Sequence, residues 1–249
     1  VKSFVHELSR VGNYGLTLLF PRACDLCGGS VEELGDGAAC ANCWEETELF
    51  DGSVSFCWKC GMPAGAAGAP ADPEKIRCRQ CDDDHYDAVR SLGGYAGALR
   101  ASVLALKRQP EVPGRLLDLL TALAQTEPLN RTQVVMPVPL HPERERERGF
   151  NQASALAEAI AKTLGLPLDD TALIRAQHTA RHRAEMDARA RRESVEGVFQ
   201  VAYPRRVRVR TILLVDDVQT TGATLSACAQ VLKAAGATQV FGLTIARAR

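Results

Sequence analysis

Beyond residue 87 the chain alternates short apolar runs with stretches whose apolar residues recur every three or four positions. Residues 89–95 and 134–138 have the length and β-rich character of strands, whereas 99–107 and 116–123 carry helical spacing. Between 152 and 164, Ala155, Leu156, Ala159, Ile160 and Leu164 fall on one helical stripe, which predicts a helix with one buried face. The run 211–215 is apolar on both faces, as a central parallel strand covered by helices should be. A helix over 224–235 and a strand over 240–245 complete the series. Strand and helix in alternation predict an α/β fold with a mainly parallel sheet flanked by helices.

Before residue 82 the pattern is different. Eight of the nine cysteines lie there, in four Cys-x-x-Cys pairs: Cys24/Cys27, Cys40/Cys43, Cys57/Cys60 and Cys78/Cys81. The pairs form a repeat, because Cys24-Asp-Leu-Cys27-Gly28 and Cys57-Trp-Lys-Cys60-Gly61 each open a unit that a second pair without the glycine closes. Twelve residues separate the pairs of the first unit and seventeen those of the second, close to or within zinc-ribbon spacing. Four thiolates make a closed tetrahedral zinc site with no position left for substrate, so the metal would be structural. Redox Cys-x-x-Cys chemistry is the competing reading, but four pairs exceed what one redox site uses. Whether the pairs combine sequentially or interleave, and around one zinc or two, spacing leaves open. Cys228, alone on a predicted helix, reads as packing.

A chain of 249 residues with 46% apolar content can bury one core and still carry a small module. The expected division is an amphipathic segment over 1–20, a small tetracysteine double zinc ribbon over 21–84 and an α/β domain over 85–249. Within the ribbon, residues 61–73 are rich in Ala, Gly and Pro and read as a mobile loop, while the acidic, turn-prone residues 82–87 suit the connector between domains. His6, Glu7, Arg10 and Asn13 interrupt the apolar residues of 1–20, which gives no secretion signal and no transmembrane segment and predicts a cytoplasmic protein. Thirty basic residues balance thirty acidic ones, so no global field recruits nucleic acid or an anionic membrane. Any such attraction has to be local.

The chemistry concentrates after the strand at 211–215. Asp216 and Asp217 stand at its carboxyl end, where open α/β sheets bind ligands, and Thr220, Thr221, Gly222, Ala223 and Thr224 follow as a helix begins. Amides at a helix start are unpaired and partly positive, so they cradle phosphate, with threonine hydroxyls as extra donors and a glycine for close approach. In an ordinary crossover, Thr221 or Thr224 would merely cap the helix and the acids would be solvated. The coincidence of twin acids, Thr-Thr-Gly and a further Thr behind an apolar strand favours the phosphate site. No Gly-Lys-Ser/Thr is present, which excludes a Walker-type loop. A second strand-end loop runs from Met136 to Gln152, and in it Arg144, Arg146 and Arg148 alternate with Glu143, Glu145 and Glu147. Two readings stand level: a cationic anion-binding loop, or a self-neutralised surface turn.

The Asp216–Thr224 block resembles the phosphoribosyl pyrophosphate (PRPP) signature of type I phosphoribosyltransferases. Together with the four Cys-x-x-Cys pairs, Pro137-Val-Pro-Leu140 and Arg148-Gly-Phe-Asn-Gln152, it resembles the ComF family over nearly the whole chain. That resemblance implies a type I phosphoribosyltransferase fold behind a double zinc ribbon. It implies that Asp216 and Asp217, the catalytic pair, face the ribose 2′ and 3′ hydroxyls, and that Thr220, Thr221, Gly222, Ala223 and Thr224 hold the 5′-phosphate. Arg144, Arg148 and Lys107 are the candidates for pyrophosphate, with Mg carried chiefly by the pyrophosphate and waters. Purine salvage enzymes of this kind place an acid where Thr220 stands, so 6-oxopurine transfer is not expected. Residues 179–199 correspond to a flexible loop of the family.

The family is linked to natural competence, the entry of single-stranded DNA into the cytoplasm, which sets three expectations side by side. The chain is a PRPP-dependent transferase with an unidentified acceptor, a non-catalytic adaptor for single-stranded DNA or a DNA-translocating helicase, or a PRPP-sensing regulator. Ten arginines between 175 and 210, against four acids, supply the local positive charge, and with Trp44 and Trp58 they offer phosphate pairing and base stacking. The same arginines equally suit a solvated helical face. Sequence sets no oligomeric state.

Overall fold

The computed structural model describes residues 22–50, 55–64, 76–176 and 197–248. The segment 1–20, the greater part of the Ala/Gly/Pro-rich loop, most of the 179–199 loop and Arg181, Arg183, Arg189, Arg191 and Arg192 lie outside the described residues.

The described residues open with a short antiparallel pair, β1 (Arg22–Ala23) and β2 (Ser30–Val31), and a one-turn helix, α1 (Ala41–Glu45). The α/β part then runs β3 (Ala88–Gly94), α2 (Gly97–Leu106), α3 (Gly114–Ala124), β4 (Val134–Pro137), α4 (Pro142–Arg148) and α5 (Gln152–Leu164). It continues through β5 (Leu173–Arg175), β6 (Phe199–Val201), α6 (Pro204–Val207), β7 (Thr211–Gln219), α7 (Ala223–Ala234) and β8 (Gln239–Arg247). Among the described residues the main sheet has the order β3-β8-β7-β4, with every neighbour pair parallel. Strands buried on both faces explain the unbroken apolar runs of β7 and β8.

On one face α2, α3 and α5 bury Leu99, Leu116, Leu120, Leu156 and Ile160 against Leu213, Val215 and Leu243. On the other, α7 buries Leu225, Ala229 and Leu232 against Ile212, Leu214 and Val240, beside the β5-β6 hairpin. Helix α5, beyond β4, therefore packs on one face and α7, after β7, on the other. Between adjacent strands this opens a crevice at their carboxyl ends.

The cysteine-rich part straddles the edge strand β3. Its first half joins the α2/α3 core through Val31, Cys24, Cys40 and Trp44, and its second half joins the opposite core through Cys57, Cys60 and Cys81. The edge itself is hydrogen-bonded from the same module: Phe50 N donates to Leu92 O at 2.7 Å and Val89 N to Lys59 O at 2.7 Å. At the far edge, β4 is covered by residues 167–169, with Val135 N donating to Pro167 O and Asp169 N to Val135 O. Covered edges leave no free ladder for another chain.

Four details differ from the expectations. The Glu/Arg alternation is a helix, α4, with Pro142 in its first turn, His141 accepting from Glu143 N and Gly149 ending it at φ 83°. Strand β7 extends to Gln219, so Asp216 and Asp217 belong to the strand and do not follow it. The β5-β6 hairpin was not expected. The connector 82–87 is pinned: Tyr86 is buried, and the Asp87 carboxylate accepts from Lys233 Nζ at 2.8 Å and Val240 N at 2.7 Å.

Candidate functional site

The eight early cysteines assemble sequentially into two clusters, Cys24/Cys27/Cys40/Cys43 and Cys57/Cys60/Cys78/Cys81. Sulfur separations are 3.7 Å for Cys24–Cys43 and Cys27–Cys40, and 3.4 to 3.5 Å for Cys60–Cys78, Cys57–Cys81 and Cys78–Cys81. A zinc ion bound by four thiolates at about 2.3 Å needs tetrahedral edges of about 3.8 Å, so both clusters fit the metal. Backbone amides already point at the sulfurs: Cys40 N and Leu26 N at Cys24 Sγ, Gly29 N at Cys27 Sγ and Cys78 N at Cys57 Sγ. Such donors suit thiolates and fix the knuckles.

In the second cluster the hydrogen bond from Cys60 draws the Cys57 thiol down while burial drives Cys81 up. A divalent cation removes that conflict by accepting all four as thiolates. The clusters are the two halves of a double zinc ribbon with structural zinc.

The crevice between β4 and β7 forms a cleft of about 470 Å³. Asp216, Asp217 and Thr224 line it from the β7 side, Arg144 and Arg148 from α4, and Lys107 from the end of α2. Asp217 Oδ2 accepts from Gln152 Nε2 at 3.3 Å and lies 3.2 Å from Lys107 Nζ, while Arg148 Nη1 donates to Gln152 Oε1. Each acid also accepts from the next amide: Asp217 N donates to Asp216 Oδ1 and Val218 N to Asp217 Oδ1, both at 2.8 Å. Desolvation in the cleft, reinforced by the neighbouring Asp217 charge, holds the Asp216 carboxyl well above the usual carboxylate range.

These contacts account for the Arg148–Gln152 motif. Gly149 takes the left-handed conformation that ends α4. Asn151 then caps α5, accepting from Ala153 N and donating from Nδ2 to Val138 O at the end of β4, each at 3.0 Å. That anchorage aims Gln152 at Asp217.

The turn after β7 is an open helix start. Gly222 is the N-cap of α7 at φ 81°, with no side-chain cap, and Ala223 N reaches Thr221 Oγ1 only at 3.4 Å. A Cβ on Gly222 would stand 2.9 Å from the Tyr86 hydroxyl, which itself donates to Asp84. Glycine is thus required by both conformation and space. Thr220 is exposed, Thr221 and Thr224 are half-buried, and Gly222 and Ala223 are buried beneath them. The expected residues Lys107, Arg144, Arg148, Asp216, Asp217 and Thr224 share the cleft wall, and Thr220 to Ala223 form the turn beside it.

The cleft also contains Arg175, whose guanidinium sits 5.5 Å from the centre of the Phe199 ring, and His141. Neither was singled out as a site residue. The two tryptophans do not serve as free stacking platforms. Trp44 is buried, donates to Asp36 O and lies under Arg115, and Trp58 is half-buried under Arg90.

Residues 15–82 match the double zinc ribbon domain family and residues 151–248 the phosphoribosyl transferase domain family. The chain is 32% identical over 193 residues to the DNA utilization protein YhgH of Salmonella typhi, covering 75% of this chain and 82% of that protein. It is 30% identical over 229 residues to the DNA utilization protein YhgH of Escherichia coli (strain K12), covering 90% and 96%. It is 27% identical over 234 residues to Competence protein F of Haemophilus influenzae, again covering 90% and 96%.

Proposed function

Because the chain belongs to the ComF family, with a double zinc ribbon joined to a phosphoribosyltransferase domain, we propose that its cleft binds PRPP together with Mg²⁺. The observation that carries this reading is the meeting of paired acids, an uncapped helix start and four cations, Lys107, Arg144, Arg148 and Arg175, around one cleft. Asp216 and Asp217 offer acceptors to the ribose 2′ and 3′ hydroxyls. The turn from Thr220 to Thr224 offers amides and hydroxyls to the 5′-phosphate. Lys107, Arg144 and Arg148 stand where a pyrophosphate would extend, and would stabilise its charge as it leaves ribose C1 for an acceptor. The magnesium would be held mainly by the pyrophosphate and waters, with the acids close by.

Titration of PRPP and Mg²⁺ into the wild-type chain and the Asp216→Ala/Asp217→Ala variant tests the assignment. Binding is expected in the first and a loss of at least about tenfold, or ~1.4 kcal/mol, in the second. Equal affinities would remove the site.

We place this activity in the cytoplasmic handling of single-stranded DNA during its uptake or use, following the names of the relatives. A second reading, a non-catalytic adaptor for DNA or a helicase that keeps the fold as scaffold, is favoured by Arg205, Arg206, Arg208 and Arg210. All four are exposed on and beside α6. Pyrophosphate release on addition of a panel of acceptor bases separates the two readings: the transferase releases it and the adaptor does not.

A further inference from the structure

Gln152 is the first residue of α5 and only 6% exposed, and both ends of its side-chain amide are engaged. Its Oε1 accepts from Arg148 Nη1 at the end of α4, and its Nε2 donates to Asp217 Oδ2 on β7 at 3.3 Å. One orientation of the amide alone allows this. Turned over, it would set its oxygen against the carboxylate and its NH₂ against the guanidinium, so the two charges fix which way it points. The neighbouring cap, Asn151, is buried as well and ties the start of α5 to Val138 O, which leaves Gln152 no other direction.

This one contact separates Arg148 from the other arginines of its helix. Arg144 and Arg146 are exposed, whereas Arg148 is half-buried with its guanidinium on Gln152. It also completes the Asp217 carboxylate, whose Oδ1 accepts from Val218 N and whose Oδ2 meets both Gln152 Nε2 and Lys107 Nζ. Of the two donors on Oδ2, Lys107 is the more exposed and is free to turn toward a ligand. Gln152, buried at a helix start, stays.

We propose that Gln152 is the positioning residue of the cleft, locking the Arg148 guanidinium and the Asp217 carboxylate to each other so that the pyrophosphate end and the ribose end are set by one side chain. The inference rests on the PRPP reading and adds to it the device that makes the two ends one site. PRPP has to meet both groups at once, across a separation that its own covalent frame fixes. Groups left loose would have to be ordered by the ligand, whereas a pair held by a buried amide is ordered beforehand. An ionised acid at position 152 would keep the arginine and repel the aspartate, and an apolar side chain would hold neither.

Three readouts on the zinc-loaded full chain test this. Without ligand, the Gln152 side-chain NH₂ signals in the NMR spectrum, assigned by their absence in Gln152→Met, are expected to move in Asp217→Ala and in Arg148→Met, since each removes one partner. In calorimetric titrations Gln152→Met, which keeps the length of the side chain, is expected to weaken ribose 5-phosphate and Mg²⁺–pyrophosphate about threefold each and PRPP–Mg²⁺ about tenfold. Gln152→Glu adds a signature that a packing role would not give. At pH 8 the introduced carboxylate faces Asp217 and Asp216 from β7, with Arg148 of α4 and Lys107 of α2 opposite, and PRPP–Mg²⁺ affinity is expected to fall about tenfold or more below wild type. Near pH 5 the introduced carboxyl takes up a proton, accepts from Arg148 and donates to Asp217 as the amide does, and the gap is expected to close to about threefold. Unmoved NH₂ signals, a loss confined to one half of the ligand, or a Gln152→Glu deficit equal at both pH values overturns the proposal. Wild type that binds none of the three ligands removes the PRPP reading and this inference with it, whereas wild type and Gln152→Met that bind them equally remove the inference alone.

Discussion

Lys107 Nζ lies 3.2 Å from Asp217 Oδ2, so the cation that ends α2 and the acid on β7 meet across the cleft. The pair is asymmetric, with the lysine side chain 35% exposed and the aspartate 10%. Lys107 can therefore swing toward an anionic ligand while Asp217 stays held by Gln152 and Val218 N.

If Lys107 faces pyrophosphate, Lys107→Gln weakens PRPP–Mg²⁺ binding about tenfold, or ~1.4 kcal/mol, and leaves ribose 5-phosphate affinity unchanged. Calorimetric titration of the two ligands reads both. Equal losses would mean that the lysine serves to hold Asp217 in place.

Asp216 is expected to oppose stability at neutral pH. Its folded carboxyl titrates well above the unfolded value, so the folded chain binds a proton that the unfolded chain has released, and stability falls as pH rises through that window. Asp216→Asn keeps the oxygen that accepts from Asp217 N and removes the charge. The variant is expected to melt about 2–4 °C higher near pH 7 for each kcal/mol gained, with the difference closing toward about pH 4. A variant that melts lower than wild type at both pH values contradicts the assigned desolvation.

Gly222→Ala is expected to cost about 1–2 kcal/mol of stability, from a left-handed φ and from the approach to Tyr86. Tyr86→Phe removes the oxygen that the new methyl would meet. Denaturant melts of the two single variants and the double should be non-additive by about 1 kcal/mol, the double losing less than the sum. Strict additivity would show that the contact is not made.

The second zinc cluster should matter more to the phosphate turn than the first. Asp84 N donates to Cys81 O, Asp84 accepts from Tyr86, Tyr86 underlies Gly222, and His85 N donates to Ser226 Oγ in the first turn of α7. Cys57→Ser and Cys27→Ser should each lower the zinc content from two ions to one. PRPP affinity is expected to fall about tenfold only in Cys57→Ser. Metal analysis beside the same titration checks both, and equal losses of affinity would discard the link.

The sheet and its large helices were legible because burial on both faces leaves an apolar run and burial on one leaves a stripe; the expected bounds of α5 coincide with the observed ones. Helix α4 was hidden, since Glu/Arg alternation carries no stripe and its ends depend on His141, Pro142 and Gly149. The true length of β7 was hidden too, because Asp216 to Gln219 are held extended by the ladder to β8 and not by their own preference. At the site, residue types announced the acids and the turn. The bond from Gln152 to Asp217 joins residues 65 positions apart, and Arg175 reaches the cleft through a hairpin too short to signal itself. The tryptophans misled, for side chains that look like stacking surfaces in a sequence are here seals beneath arginines.

Phe50 and Lys59, from the two halves of the ribbon, occupy the hydrogen-bonding side of β3. A cell short of zinc would therefore lose more from this protein than two folded knuckles. Unzipped from its metal-held cover, the first strand of the sheet would offer its bare rim to the same rim on a neighbouring molecule, and scarcity of one ion would be read out as pairing of two copies.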